Sequence, residues 1–380
     1  MTDRLKKQMV GGERELKNLP LISLVIVNHN GRDLLEDCLS SIRDLEYPKE
    51  KLEIIMVDNI SEDDSMSFVS ESFPECRIIR SGENNYAKAN NIGIRESKGN
   101  FVGLLNNDVR VERNWLVELV RVMMSDAKVG VAGGKILFEN GRIQSVGHVE
   151  LGNYYWSDRG FNETDREQYD RVEDVKSLCG AAVLYRRKCL DDVGLFDEDF
   201  VMYYEDVDLN LRCGERGWRR VYVPKSVAYH KFRGTATEDT VKKWCERNRL
   251  MLIAKKEPNA FLEKLIRTEY YIKQNSKKAE EDLNAILKKW FDSMKDGKNV
   301  GSLQQRLLVL LNLSYAELYG RDSGIEKMEE EIKLMNQQLA DRNQYIRQKE
   351  EQLDRIFNSR GWKSLTAFHD IKKSLGLVKE

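Results

Sequence analysis

Over the first 140 residues, short apolar runs rich in β-branched side chains alternate with segments of helical spacing. The runs are LISLVIV (21–27), LEIIMVD (52–58), RIIR (77–80), FVGLLN (101–106) and VGVAGG (129–134). Continuous apolar runs of this kind suit strands buried on both faces of a parallel sheet. Between them, Leu34, Leu35, Cys38, Leu39 and Ile42 fall at helical spacing after Asp33, which suits a helix cap. Trp115, Leu116, Leu119, Val120 and Met123 repeat the pattern. The alternation predicts an α/β fold with a doubly wound sheet.

In such sheets ligands bind outside the carboxyl ends of the strands. Three predicted strand ends carry short polar side chains: Asn28 and Asn30 after the first, Asp58 and Asn59 after the second, and Asn106, Asn107 and Asp108 after the fourth. Each alone reads as a turn, where Asn and Asp are favoured. Their convergence on one edge points to a binding site.

From 140 to 200 the pattern is irregular, as in a region that faces a variable ligand. After Thr240 it becomes helical, and only Pro258 is a proline in the last 150 residues. Phe261, Leu262, Leu265 and Ile266 share one face, with Tyr270 nearby. Ile325, Ile332, Leu339, Ile346 and Leu353 recur every seven residues, with Met328, Met335, Arg342, Lys349 and Ile356 in the partner position. This heptad predicts a coiled coil that joins copies of the chain or binds a partner, weakened where Arg342 and Lys349 enter the seam. Beyond it, Trp362, Leu365 and Phe368 stand beside lysines, a mix that suits contact with a membrane surface or a cap on the coil.

Composition narrows the class. The 62 basic and 63 acidic residues nearly cancel, which gives no electrostatic case for a nucleic-acid partner. Six cysteines are scattered without a C-x-x-C pair, so neither a zinc site nor a disulfide framework is expected, and a reduced cytoplasmic setting is. The first twenty residues lack a signal-peptide core, and no run approaches the roughly 20 apolar residues that span a bilayer. The expected location is cytoplasmic, with peripheral attachment to the membrane face left open.

A second polar cluster lies in FVMYYEDVDLNLR (200–212). Acids are normal in a helix's first turn, and Asp208 with Arg212 forms an ordinary i,i+4 pair. The aromatic stretch just before them sets Glu205 and Asp206 at the rim of a pocket, where a carboxylate can act as a general base.

LVIVNHNG, VDNISEDDS, LLNNDV and LFDEDFVMYYEDVDLNLR, in this order, resemble glycosyltransferase family 2, and within it the rhamnosyltransferase-like members that build surface polysaccharides. The resemblance covers roughly residues 21–254. It implies a GT-A fold with a mixed sheet and a Rossmann-like nucleotide half. It also implies a nucleotide-diphosphate sugar donor, Mg²⁺ or Mn²⁺, inversion at the anomeric carbon, and a glycan or lipid-linked acceptor. On this likeness Asp58, with Asn59, holds the base or ribose, and Asn28 and Asn30 line the same pocket. Asn106 and Asp108 match the ends of the D-x-D metal and diphosphate motif, with Asn107 as spacer on the donor side. Asp206 matches the base of the E-D motif, with Glu205 beside it contacting the acceptor. His230 matches a histidine found near the metal in some members.

Two departures stand out. ENNYAKANN, which would bring Asn91 to the donor, lacks the family's glycine, so the loop from 84 to 91 is expected to be shorter or differently shaped. N-x-D replaces D-x-D, leaving one carboxylate. Mg²⁺ tolerates this, because it draws much of its coordination from substrate phosphates. Gly180, Ala181 and Ala182 would let the acceptor approach closely.

The organisation expected is a tail over 1–20, a GT-A domain over 21–255, a helical region over 256–320, a coiled coil over 321–357 and an aromatic, basic tail over 358–380. A sugar nucleotidyltransferase would want a glycine-rich loop with a basic residue after the first strand, where NHNGRD offers a single glycine. A non-catalytic sugar-nucleotide-binding scaffold is the other alternative. Asp58, Asp108, Glu205 and Asp206 together argue against a decayed site.

Overall fold

In the computed structural model, which describes residues 19–232, 238–258, 261, 277–294 and 337, the strand β1 (Ile22–Asn28) is buried along its whole length. Its alternate side chains serve two separate cores, as period-two geometry requires. Ile22, Leu24 and Ile26 pack with Leu35, Leu39 and Ile42 of α1 (Arg32–Arg43). Val25 and Val27 face the other way, toward Ala87, Ala89 and Ile94 of α3 (Tyr86–Glu96).

The intervening and following elements continue the α/β alternation. They are β2 (Leu52–Asp58), α2 (Ser65–Ser72), β3 (Cys76–Arg80), β4 (Phe101–Asn106), β5 (Val109–Val111), α4 (Trp115–Ser125) and β6 (Val129–Leu137). The helical stripe predicted around Trp115 is α4, and Trp115 itself is fully buried. Enclosing a ring of that size contributes about 3 kcal/mol.

The irregular stretch after residue 140 contains short pieces: β7 (Ile143–Ser145), β8 (His148–Glu150), β9 (Trp156–Asp158), β10 (Glu173–Asp174), β11 (Ala182–Arg186) and α5 (Arg187–Val193). Then come α6 (Glu205–Glu215), β12 (Arg219–His230), α7 (Glu238–Lys256) and α8 (Lys277–Met294). The main sheet runs β10-β12-β6-β11-β4-β1-β2-β3, with β5 on β12 and β7 on β6. β4, β1, β2 and β3 are mutually parallel, whereas β11 is antiparallel to both β4 and β6. The sheet is therefore mixed, as the resemblance implied.

Two expectations change locally. Asp33 does not cap α1: the chain turns into the helix at Gly31, and Asp63 from a distant loop accepts the Arg32 amide at 3.0 Å. The segment after Asn84 is not a loop, because Asn85 caps α3 by accepting the Lys88 amide and the helix begins at Tyr86.

α7 and α8 pack on each other within the same compact unit as the sheet. Arg247 pairs with Asp282 at 3.0 Å, and Trp290 donates to the Pro258 carbonyl at 2.6 Å. Lys289 of α8 reaches Asp197 and Asp199, both at 2.7 Å. Phe261 is buried against Trp290, while the rest of its predicted helical face, the heptads and the aromatic tail lie outside the described residues.

β12 carries the feature that most affects the site. Its register against β6 jumps between Val223 and Val227, so that Pro224, Lys225 and Ser226 bulge out. A Cβ on Gly134 would lie 2.0 Å from the Ser226 carbonyl oxygen, so the bulge requires glycine beneath it. Beyond the bulge, β12 pairs with β5 and sets His230 opposite Val109. Gly134→Ala is expected to lower stability by about 1–3 kcal/mol through this overpacking. The check is the urea midpoint, and an unchanged midpoint would show that the bulge relaxes freely.

Candidate active site

The parallel register places the polar strand ends level with one another. Asn28 of β1 pairs with Asp58 of β2, and Val27 pairs with Asn106 of β4. Hydrogen bonds then join them. Asn28 accepts from Asn107 Nδ2 at 2.8 Å and donates to Ser61 Oγ at 3.1 Å. A Cβ on Gly31 would lie 2.1 Å from Asn107 Nδ2 and 2.4 Å from Asn28 Oδ1, so glycine makes this bond possible. Asn30, at φ 48°, donates its amide to Ser61 Oγ and accepts from the Glu62 amide. Asn59 is buried and donates to Asn84 Oδ1 at 2.8 Å.

Asp58 is 2% exposed. Its Oδ2 accepts the Ser61 amide at 3.2 Å, and its buried Oδ1 has no hydrogen-bond partner among the described residues. A buried acceptor left unmatched is costly, and such an atom calls for a donor from a ligand. Asn91 sits differently. Its amide is committed to Phe196, as donor to the carbonyl and acceptor from the N–H, and to Glu198. Its side chain is thereby taken up within the fold.

At the end of β4, Asp108 Oδ1 lies 2.9 Å from His230 Nε2. The ring's Nδ1 faces Gln144 Oε1 at 2.7 Å. With the glutamine oxygen accepting, Nδ1 carries the hydrogen, and in the neutral ring Nε2 would turn its lone pair toward the carboxylate. Two electron-pair donors facing one another suit a shared cation, and imidazole with carboxylate is a fitting donor pair for a divalent metal. Gln144 then plays the orienting part that outer partners of ligating histidines play. Asn106 lies alongside, with its Nδ2 3.5 Å from His230 Nε2 and its Oδ1 accepting from Tyr86 Oη at 2.6 Å.

Asp206, in the first turn of α6, belongs to the same site through two consecutive residues. The Gly180 amide donates to Asp206 Oδ2 at 2.9 Å, and the next carbonyl, Ala181, accepts from the Asn106 amide at 3.0 Å. A Cβ on Gly180 would come 3.3 Å from the Asp206 carboxylate, so the small residue makes room for Asp206 itself. Glu205 is buried, and its Oε2 has no hydrogen-bond partner among the described residues. Burial, reinforced by the neighbouring Asp206, pushes its carboxyl well above the usual range. Tyr86 is raised too, by burial and then by Glu205.

Sequence reasoning missed several members. His148 holds Ser177 Oγ through Nδ1 at 2.8 Å and sets Nε2 3.5 Å from Asp158 and 4.0 Å from Asp206. Burial raises the Asp158 carboxyl and, more strongly, the Cys179 thiol. Ligand atoms of His148, Asp158 and Cys179 lie within 4.8 Å of one another, a grouping that no spacing in the chain announces. Tyr86 and Gln144 were equally silent, because each acts through a contact across the fold.

The family model for "Glycosyl transferase family 2" matches residues 23–194. The chain is 27% identical to the O-antigen biosynthesis protein RfbC of Myxococcus xanthus, over 60% of this chain and 18% of the relative. It is 28% identical to the N-acetylglucosaminyl-diphospho-decaprenol L-rhamnosyltransferase of Mycobacterium tuberculosis, over 49% of this chain and 68% of that protein. With the glycosyltransferase AglE of Haloferax volcanii the identity is 30%, over 57% of this chain and 68% of the relative. The chain spans only 18%, 25% and 52% of the length of three curated relatives it matches, RfbC among them. Among solved structures, GalNAc-T7 with UDP, GalNAc and Mn²⁺ superposes with a TM-score of 0.53 at 18% identity, covering 70% of this chain and 55% of that one, which shows a shared GT-A-like fold. The mixed sheet, the family match over its nucleotide half and a 30%-identical relative covered over two thirds of its length carry one conclusion: this chain belongs to glycosyltransferase family 2.

Proposed function

We propose that the chain transfers a sugar, with inversion, from a nucleotide-diphosphate donor to a hydroxyl of a lipid-linked or growing cell-surface glycan. One observation carries this reading: Gly180 and Ala181 join Asp206 to Asn106, so the candidate base and the diphosphate motif share one site. dTDP-rhamnose or a UDP-sugar is the favoured donor, supported by the rhamnosyltransferase and O-antigen relatives. The acceptor class has the same support. A donor of this kind and a lipid-linked acceptor place the reaction at the cytoplasmic face of a membrane. Among the described residues no helix is long and apolar enough to cross one. The heptads after residue 324 propose self-association of the chain.

The division of labour follows from charge. The orphan Oδ1 of Asp58 takes a donor group of the base or ribose, with Asn28, Asn30 and Asn59 shaping the pocket. Asp108 and His230 would hold Mg²⁺ or Mn²⁺, with Asn106 beside them, and Mn²⁺ in the GalNAc-T7 complex supports such use. A divalent ion held there with the donor's diphosphate would supply Lewis-acid stabilisation of the leaving group. Asp206 takes the acceptor's proton as the hydroxyl attacks the anomeric carbon. Glu205, its carboxyl raised by burial and then by Asp206, is disposed to hold its proton rather than set a second negative charge beside the base.

Three outcomes test this. A panel of dTDP-, UDP- and GDP-sugars with Mg²⁺ or Mn²⁺, offered an N-acetylglucosaminyl diphospholipid, should release nucleotide from one donor. Asp206→Asn should cut that transfer by about 10²–10⁴-fold while donor binding persists, and transfer at the wild-type rate would refute the base assignment. Asp108→Ala should abolish metal binding that depends on nucleotide, read by calorimetry with and without UDP or dTDP. Intact binding would move the metal elsewhere.

Glu205 gives a fourth, a pH signature. Its carboxyl holds its proton to higher pH in the folded chain than the ordinary value of 4.5. Above that pH the folded state binds more protons than the unfolded one, so this group's contribution to stability falls as pH rises through the folded value. Glu205→Gln removes the slope. Its stability relative to wild type should therefore climb with pH from about 4.5, while the two curves stay parallel below it. Parallel curves throughout would mean that Glu205 titrates normally.

A further inference from the structure

The geometry points to Asn248 of α7 as a positioning residue for the acceptor half of the site, an inference that rests on the reading of Asp206 as the base. The segment that delivers Glu205 and Asp206 is contorted. Val201, Tyr203 and Tyr204 have φ of 63°, 67° and 67°, and none is glycine. Positive φ at a β-branched residue is an outlier that needs outside support. Around Val201 (φ 63°, ψ −63°) the Met202 amide reaches back to the Phe200 carbonyl at 2.7 Å, a strained three-residue γ-turn.

Asn248 supplies the support. It is fully buried, and its Nδ2 donates to three backbone carbonyls of this one loop: Phe200 at 2.8 Å, Met202 at 2.8 Å and Tyr203 at 2.7 Å. With two hydrogens on that nitrogen, one of them is shared between two of the carbonyls. The Oδ1 of Asn248 accepts from Arg247 Nη1 at 2.6 Å, which fixes which way the amide points. The same Nη1 donates to the Asp199 carbonyl at 2.9 Å. Between these anchors the Val201 carbonyl accepts the Ala87 amide at 3.0 Å, tying the loop to the helix that bears Tyr86. Arg249, next along α7, donates to the Asn153 carbonyl at 3.0 Å and lies over the Tyr155 ring. Consecutive residues of α7 thus grip both the approach to the E-D pair and the hairpin of β8 and β9, which leads through His148 to Asp206.

None of the donor-side residues is touched by Asn248, so its loss should separate the two halves of the reaction. Asn248→Ala removes the donors, and Asn248→Asp keeps the shape while turning an oxygen on the three carbonyls. Transfer from dTDP-rhamnose or the active donor of the panel should fall by about a hundred-fold in both, as expected when a reacting group is displaced by about 1 Å. Affinity for dTDP or UDP should stay at the wild-type value. Hydrogen exchange should accelerate over 199–206 and stay unchanged over β1, β2 and β4.

Transfer at the wild-type rate overturns the proposal. So does loss of nucleotide affinity and strand protection together with transfer, which marks a general structural role. If Asn248→Asp behaves as wild type where Asn248→Ala does not, volume alone matters, and the proposal fails. Should neither variant fold, Arg247→Lys keeps the charge facing Asp282 but loses the bond that orients the amide. It should show a smaller loss of the same kind, and a wild-type rate there also overturns the assignment. Asp206→Asn in the same assays separates the two readings. If it is inactive while Asn248→Ala is fully active, only the positioning role is lost. If it is fully active, the base assignment fails, and the exchange over 199–206 still decides whether Asn248 holds the loop.

Discussion

The site depends on one short piece of backbone, Gly180 and Ala181, which grips Asp206 with an amide and Asn106 with a carbonyl. The direction of β11 makes that possible. Parallel strands β1, β2 and β4 all end at the binding edge, so their first residues lie at the far side of the sheet. Only a strand running the other way begins at this edge. β11, antiparallel between β4 and β6, does so, and the residues just ahead of it meet the ends of the others. A wholly parallel sheet would have left the candidate base without a backbone connection to the polar end of β4.

Much of this was legible because two physical signals are local. Apolar runs buried on both faces gave β2 and β4 their full extents, Leu52–Asp58 and Phe101–Asn106. The strand-end asparagines and aspartates converged once the strands were parallel, since polar groups at one edge have one place to go. What stayed hidden was settled by distant partners. The α1 cap comes from Asp63, so the nearby Asp33 misled. Gly180 read as a gap for the acceptor, yet its missing side chain is filled by Asp206. His148 and Asp158 sit in a stretch with no helical or strand period, and only the fold brings them near α6.

Buried acids recur around the site, and each is resolved differently. Asp208 lies between Arg212 and Lys255, an ordinary paired charge that secures α6 to α7. Glu205 has no cation paired with it among the described residues, and burial raises its carboxyl instead, the usual response in a dry setting. Asp58 keeps one oxygen unmatched, the pattern expected where a ligand's donor completes the set. The contrast matters because burial alone does not mark function. Asp208 is as buried as any of them and is structural.

The loop ahead of the E-D pair shows how strain can serve placement. Residues held at positive φ cost of order 1–3 kcal/mol each, and three bulky ones occur within four positions. Glycine would adopt the same angles without that cost, but it would also leave them as easily. Side chains such as Val201 and Tyr203 admit few alternatives once their carbonyls are taken by Ala87 and Asn248. Tyr204 also anchors its own ring end, accepting the Trp156 amide and donating to the Tyr154 carbonyl, both at 3.2 Å. The strained backbone and its fixed partners therefore define one entry into α6. The first turn of that helix, with Asp206 on it, inherits the position.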